Sequence, residues 1–403
     1  MQQDYDVLIA GGGLTGNCLA LALNDAGLKI AIVEATPQQQ QHDSPAGDRA
    51  LALAAGTVKM LEALGLWQGI SHTATPIKHI HISDQGHFGK VRLSAEQENV
   101  AALGHVITAR DLEGHMAQLV AQTDASLICP GRVVGIMSGQ DEVNVSLKTD
   151  HEALAVTAKL LVGADGGNSS VRKLLDIGQQ LSPYGQTALV TTVQSALPNQ
   201  HTAYERFTAS GPLALLPVTD KQSAVVWTRS DEDAKGLMAG SEADFLAELQ
   251  QCFGYRLGQL QLISPRRAFP LSLIRAERMH DQRTVMIGNA VHQLHPVAGQ
   301  GFNLGLRDVV LLAEMLINQQ NAGQDIGEAG VLSAYAQARQ KDHDKAISFT
   351  DNVVRIFSND WLMLAALRNV GLAVLDHLPI AKNLLARHAM GLAERLPRLG
   401  SRR

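Results

Sequence analysis

The chain has little cysteine and few aromatic residues: 3 cysteines and 4% Phe, Trp and Tyr among 403 residues. Cys18, Cys129 and Cys252 are far apart and form no CxxC pair. That argues against a disulfide framework or a cysteine zinc site and predicts three reduced, buried thiols in a cytoplasmic protein. A basic excess is also missing. The 34 Lys and Arg stand against 39 Asp and Glu, a formal net charge of −5. No polyanion partner is implied, and nucleic acid is not expected. No apolar run is long enough to span a bilayer. The nearest is 361–378, WLMLAALRNVGLAVLDHL, broken by Arg368, Asn369 and Asp376. At the N-terminus the apolar run 7–10 is strand-length, has no basic flank and leads into glycines, so it does not read as a signal peptide.

What is present is ordinary soluble composition, 45% hydrophobic and 18% charged, over a length that buries a large core in two lobes. Residues 4–10 read as a buried strand, 14–26 as a helix with Gly27 at its C-cap, and 29–33 as a second strand ending in Glu34. Gly11, Gly13 and Gly16 fall between strand and helix in GxGxxG spacing. Such glycines allow a tight turn and bring a pyrophosphate close to the helix N-terminus, while an acid at the second strand's end suits ribose hydroxyls. A glycine-rich turn that binds nothing has the same spacing, and the motif alone does not separate FAD from NAD.

Two further stretches complete a set. GADGGNSSVR at 163–172 ends a strand at 159–162 and opens a helix that Asn168 or Ser169 can cap. GNAVHQLHPVAGQGFNLGLRD at 288–308 follows the short strand 284–287, then gives a Gly/Pro loop and a helix over 302–318 with free N–H groups at its start. Between the motifs, 49–64 reads as a helix, 110–122 as another, and 131–148 as a hairpin turning at 139–141. Residues 186–228 read as several strands, 241–253 as a helix, and the chain from Gly301 onward as mostly helical.

Together the three motifs resemble the FAD-contacting elements of single-component flavin aromatic hydroxylases of the para-hydroxybenzoate hydroxylase type. The GNA wording of the third resembles the ubiquinone-biosynthesis branch, in particular the 2-polyprenyl-6-methoxyphenol hydroxylases. The resemblance implies an α/β fold with an α+β insert. A Rossmann-like FAD-binding domain would be assembled from 1–75, 109–180 and 276–320. A β-sheet substrate domain would comprise 76–108 and 181–275, with a helical C-terminal region at 321–403.

It implies FAD as cofactor, held by Gly11, Gly13, Gly16, Glu34, Arg49, Arg110, Asp165, Gly166, Gly288, Asn289, Pro296, Gly301 and Asn303. For Arg49 and Arg110 an ordinary surface arginine is the alternative. Asn289 departs from the family's usual aspartate, keeping hydrogen bonding and losing charge. Arg172 is expected to hold the second motif's shape. The backbone of Pro296, Gly299 and Gly301 would border the reacting edge of the flavin, where a C4a-hydroperoxide hydroxylates the ring. No side-chain base is assigned, and His292 and His295 read first as loop-packing residues. No metal is expected.

NADPH or NADH would bind transiently, since no second Rossmann fingerprint is present. O2 and a prenylated phenol would be the other substrates, the phenol lying in an apolar pocket under 211–218. A sister hydroxylase acting on 2-polyprenylphenol or a small phenol, and a non-catalytic flavin-binding scaffold in a ubiquinone-biosynthesis complex, are the alternatives. The stretch 361–378 reads as core or subunit interface, with peripheral contact to the inner membrane as the other reading. Oligomeric state is open.

Overall fold

A computed structural model describes residues 4–37, 40, 44–295, 299–357 and 376–392. Pro296 and all but the last three positions of 361–378 lie outside the described residues.

Five strands run parallel in the order Ser126–Ile128, Ile30–Val33, Asp4–Ala10, Ala153–Gly163 and Thr284–Met286. A parallel sheet is covered on both faces, so its strands are apolar throughout. Val7, Ile9, Ile32 and Val162 face the helices Leu14–Leu23, Ala109–Val120 and Gln300–Asn321 through Leu19, Met116 and Val309. Leu8, Val33 and Leu161 face the other way, toward Val133, Val145 and Leu147 of the hairpin Gly131–Ser138 and Val143–Thr149. The hairpin pairs antiparallel with Ala153–Gly163 and extends the same sheet.

The second lobe is a nine-stranded sheet whose centre is the long strand Gln179–Ser195 between Arg267–Ala276 and Gln222–Ser230. Gly211–Pro217, Thr202–Thr208 and His79–Asp84 continue it outward. One face is closed by the helices Asp231–Ala239 and Glu242–Phe253, which bury Leu189, Leu213, Leu215 and Trp227. Ser230 and Ser241 cap those two helices, each accepting from the backbone N–H three residues on.

A three-stranded sheet, Ala50–Ala54, Gly104–Thr108 and Thr75–Ile77, joins the lobes. Here the structure corrects the expectation of one helix over 49–64: only Ala55–Ala63 is helical. ALALA carries no residue that resists a helix, so local propensity points the wrong way and tertiary pairing decides. Five residue pairs to 104–108 and the side chain of Asn303 hold the segment extended. The thiols need a smaller correction. Cys18 and Cys252 are buried, but Cys129, at the end of a strand beside Thr36, is half-buried.

The C-terminal helix Pro379–Ala389 returns to the junction. Ala386 and Met390 bury against Ile77, Val91 and Val106. Gly56 N–H donates to Met390 O (2.8 Å).

Candidate active site

The carboxyl ends of three adjacent parallel strands bring the motifs together. Ala164 N–H donates to Ala10 O (2.7 Å), Ile287 N–H to Gly163 O (3.0 Å) and Gly11 N–H to Val33 O (2.8 Å). Open α/β sheets bind ligands beyond these strand ends.

The three glycines of the first motif differ in what they answer to. A Cβ on Gly11 would lie 2.4 Å from Ala164 O, at φ +107°, and one on Gly16 would lie 1.9 Å from Gly11 O. Both are glycine because protein atoms are in the way. A Cβ on Gly13 would meet nothing within 4 Å, and its φ of −78° suits any residue. Gly13 is also the N-cap of the first helix and makes no side-chain cap bond, so the helix start is left to another partner. Gly301 and Gly166 have the same open space. Glu34, at the end of its strand, accepts from Gly12 N–H (Oε2, 2.7 Å) and Thr36 N–H (Oε1, 2.7 Å).

Ser169 is the N-cap of the helix Ser170–Leu174, accepting from Arg172 N–H (3.0 Å), and Asp165 joins it at the helix start. The Asp165 Oδ2 accepts from Ser170 N–H (2.7 Å) and Val171 N–H (3.1 Å). Its Oδ1 is buried with no hydrogen-bond partner, an arrangement that costs about 1–3 kcal/mol until a donor arrives. Arg172 is buried and ties the motif to the third: Nη1 donates to Ala290 O (2.7 Å), and Nη2 to Gly167 O (2.8 Å) and to Gln179.

In the third motif Gly288 takes φ +60°, and its Cβ would lie 2.9 Å from Thr15 Oγ1. Asn289 is exposed beside it. Gly299, at φ +61°, is the uncapped N-cap of Gln300–Asn321. Asn303 has its side chain fully engaged within the protein. Its Oδ1 accepts from Ala54 N–H (3.0 Å) and Thr57 Oγ1 (2.6 Å), and its Nδ2 donates to Ala52 O (2.9 Å) and Gly299 O (2.6 Å). It positions the loop; its amide has no spare donor for a ligand.

At the rim, Arg110 donates to Asp48 (2.6 Å), and Arg267 reaches the same carboxylate (3.0 Å). The hydrogen bond from Arg110 holds the Asp48 carboxyl below its usual range. Arg49 is exposed and stands over the Phe269 ring, 6.0 Å from its centre.

Sequence reasoning missed the node behind the third motif. Asp308 is fully buried and accepts from Gly288 N–H (3.0 Å), His292 Nε2 (3.0 Å), Arg339 Nε (2.6 Å) and His343 Nε2 (2.8 Å). Burial would raise its carboxyl, but the charges of His343 and Arg339 and two hydrogen bonds outweigh it and hold the group well below its usual value. His292, Asp308 and His343 have metal-ligand geometry, yet the Arg339 guanidinium already supplies the positive charge. His295 is buried edge-on to Tyr184, and burial pushes it down to about 4. The signal for this node was present as an aspartate inside an apolar helical stretch, but its partners are 16 to 35 residues away.

These residues fit FAD. Two uncapped helix starts, an open approach at Gly13 and Gly301, an acid at the second strand and an orphaned Asp165 oxygen are features such a dinucleotide would use.

Comparison with known proteins agrees. The model of a family described as "FAD binding domain" matches residues 4–350. The chain is 35% identical over 392 residues to the ubiquinone hydroxylase UbiL of Rhodospirillum rubrum, covering 96% of this chain and 89% of that one. It is 30% identical over 393 residues to the 3-demethoxyubiquinol 3-hydroxylase of Escherichia coli, covering 97% and 99%. In structure it resembles the p-nitrophenol 4-monooxygenase PnpA of Pseudomonas putida, with a TM-score of 0.81 at 18% identity over 98% of this chain and all of that one. The chain belongs to the FAD-binding-domain family, as a flavin-dependent aromatic hydroxylase related to the ubiquinone hydroxylases.

Proposed function

We propose that the protein hydroxylates the ring of a polyprenylated phenol, converting 2-polyprenyl-6-methoxyphenol to 2-polyprenyl-6-methoxy-1,4-benzoquinol with NAD(P)H and O2. FAD held there would supply the redox chemistry, accepting a hydride from the nicotinamide and transferring one oxygen atom of O2 to the ring. The protein's own residues bind and orient. Gly13 and Glu34 would hold the dinucleotide end on the tight turn that Gly11 and Gly16 make possible, and Arg49 and Arg110 lie at the rim. Asp165 and Gly166 receive the middle of the cofactor. Gly288 and Asn289 would lie by the ribityl or pyrophosphate region and Gly299 and Gly301 along the ring, with Asn303 fixing the loop.

The observation that carries the phenol reading is the apolar face of the second sheet. Ala214 and Leu216 share it with Ile82 and Val226, on the side turned away from the covering helices. Such a face shelters an alkylated ring and keeps water from it. Attachment to a ubiquinone-biosynthesis complex and contact with the inner membrane belong to the same reading, because the prenyl tail resides in the bilayer. Among the described residues no helix is long and apolar enough to cross a membrane.

The E. coli relative's name favours a second reading, a sister ring position. Mass spectrometry of prenylated lipids, in cells lacking the gene and with it restored, tests both. Reversible accumulation of 2-polyprenyl-6-methoxyphenol supports the first; accumulation of 2-polyprenylphenol, or of a demethoxyubiquinone, supports a sister step; unchanged ubiquinone counts against both.

A further inference from the structure

A base for the substrate phenol was not legible in the sequence, and the second sheet offers one. On strand Thr202–Thr208, Tyr204 pairs with Leu215 and Arg206 with Leu213, both on the helix-covered face. Glu205 lies between them and therefore points the other way. It pairs with Ala214 on one side and Ile82 on the other, among residues that are otherwise apolar.

That face is turned toward the flavin loop. Ala203, Ile80, Ile82 and Leu216 belong to the same packed cluster as Ala50, and Gly299 rests against Ala52, two residues along that strand. Phe269, on the same face by register, carries Arg49 above it. Three other charged groups share the face by register. Arg275, at the far end of the strand Arg267–Ala276, is paired with Asp344. Arg267 is engaged by Asp48 at the margin, and Asp84 is buried at the end of its strand. Glu205 alone sits mid-sheet, and its carboxyl has no hydrogen-bond or ion-pair partner among the described residues.

The geometry points to Glu205 as the group that accepts the substrate phenol's O–H hydrogen bond and takes its proton during ring hydroxylation. The inference rests on the phenol reading proposed above. The proton moves from the phenol oxygen to the carboxylate, which makes the ring a stronger nucleophile. As the ring carbon gains oxygen, its own hydrogen is lost as a proton and leaves in water with the second oxygen atom of O2. The carboxyl returns its proton to the phenol oxygen, so Glu205 ends as it began. Burial pushes the Glu205 carboxyl up to about 7, closer to a phenol than an ordinary carboxylate is, which improves proton transfer.

The test uses purified FAD-loaded enzyme, with short-chain 2-prenyl-6-methoxyphenol, its ring-fluorinated analogues and its O-methyl ether as probes. Glu205→Gln keeps size and polarity and loses the proton acceptor. The expected result is wild-type FAD content, unchanged affinity for the ether, and product formation lowered about 100-fold with the parent phenol. With the more acidic fluorophenols, already ionised in solution, the defect shrinks toward wild type. A purely structural role would leave the defect independent of phenol acidity. Glu205→Asp should recover part of the rate. Wild-type turnover in Glu205→Gln, or a defect equal for all phenols, overturns the assignment. If wild-type enzyme hydroxylates none of these phenols, the phenol reading itself falls and takes the role of Glu205 with it.

Discussion

In the nucleotide-binding lobe the site is made of backbone. Free N–H groups at two helix starts, carbonyls at strand ends and positions where a side chain would intrude do the work, and side chains such as Asn303 and Arg172 hold that backbone in place. In the nine-stranded sheet the candidate site is one face of ordinary pleated strand, where identity lies wholly in side chains: Ile82, Ala214, Leu216 and a single mid-sheet carboxyl. A backbone site constrains residue type at fixed spacing, because only glycine fits. A sheet-face site constrains only polarity and size, and many sequences satisfy it. On the proposed reading, the first kind would hold the cofactor and the second would choose the substrate.

The comparison breaks most visibly at the glycines. Gly16→Val puts a Cβ within 1.9 Å of Gly11 O, backbone against backbone, and should leave no soluble folded protein. Gly13→Val meets open space and should fold with stability within about 1 kcal/mol of wild type, yet purify without flavin. Absorbance at the flavin bands beside a thermal melt separates the two. Flavin retained by Gly13→Val would remove the first motif from the binding site.

That contrast also explains what the sequence made legible. The βαβ unit, the hairpin, the helix at 241–253 and all three motifs follow from local patterns, since spacing and capping are local physics; the helix Asp231–Ala239 was not anticipated. The strand at 50–54 did not, because Ala and Leu carry no strand signal and its pairing partner lies some fifty residues on. Asp308 and Glu205 were missed for a related reason. The first looks like a solvated helix charge and the second like a surface strand residue until register and packing show which way each points.

Behind the third motif, Asp308→Asn keeps shape but removes the charge facing Arg339, His292 and His343. Arg339 keeps its second carboxylate, Asp342, so the cost should fall below the roughly 3–5 kcal/mol of a buried charge left with no partner. Urea unfolding should show it as a lowered midpoint with the same slope. The loss should loosen the Gly288 turn too, seen as faster flavin dissociation. A midpoint within experimental error of wild type would show that the node carries no weight.

Acid should weaken the protein by a separate route. His295 is held down to about 4 by burial, and His81 likewise to about 4 by burial and then by Arg256. Between those values and the unfolded value near 6.5, the unfolded chain binds protons the folded chain does not. Stability therefore rises with pH across roughly 4 to 6.5 and levels off above. His295→Phe should flatten part of that slope in melts at pH 5 and pH 7. An unchanged slope would mean that His295 is reached by water.

The smallest effect belongs to Arg110, and it bears on whether the rim is backbone-like or side-chain-like. Its pair with Asp48 is partly exposed, so Arg110→Ala should cost under about 1 kcal/mol of stability. If the guanidinium turns from Asp48 to the cofactor's phosphates when FAD binds, the same variant should weaken FAD about tenfold, roughly 1.4 kcal/mol, with the loss shrinking as salt rises. Asp48→Asn would then do the opposite, freeing Arg110 and tightening FAD slightly. Equal, salt-independent affinity in both variants would leave cofactor retention to the glycine-framed backbone alone.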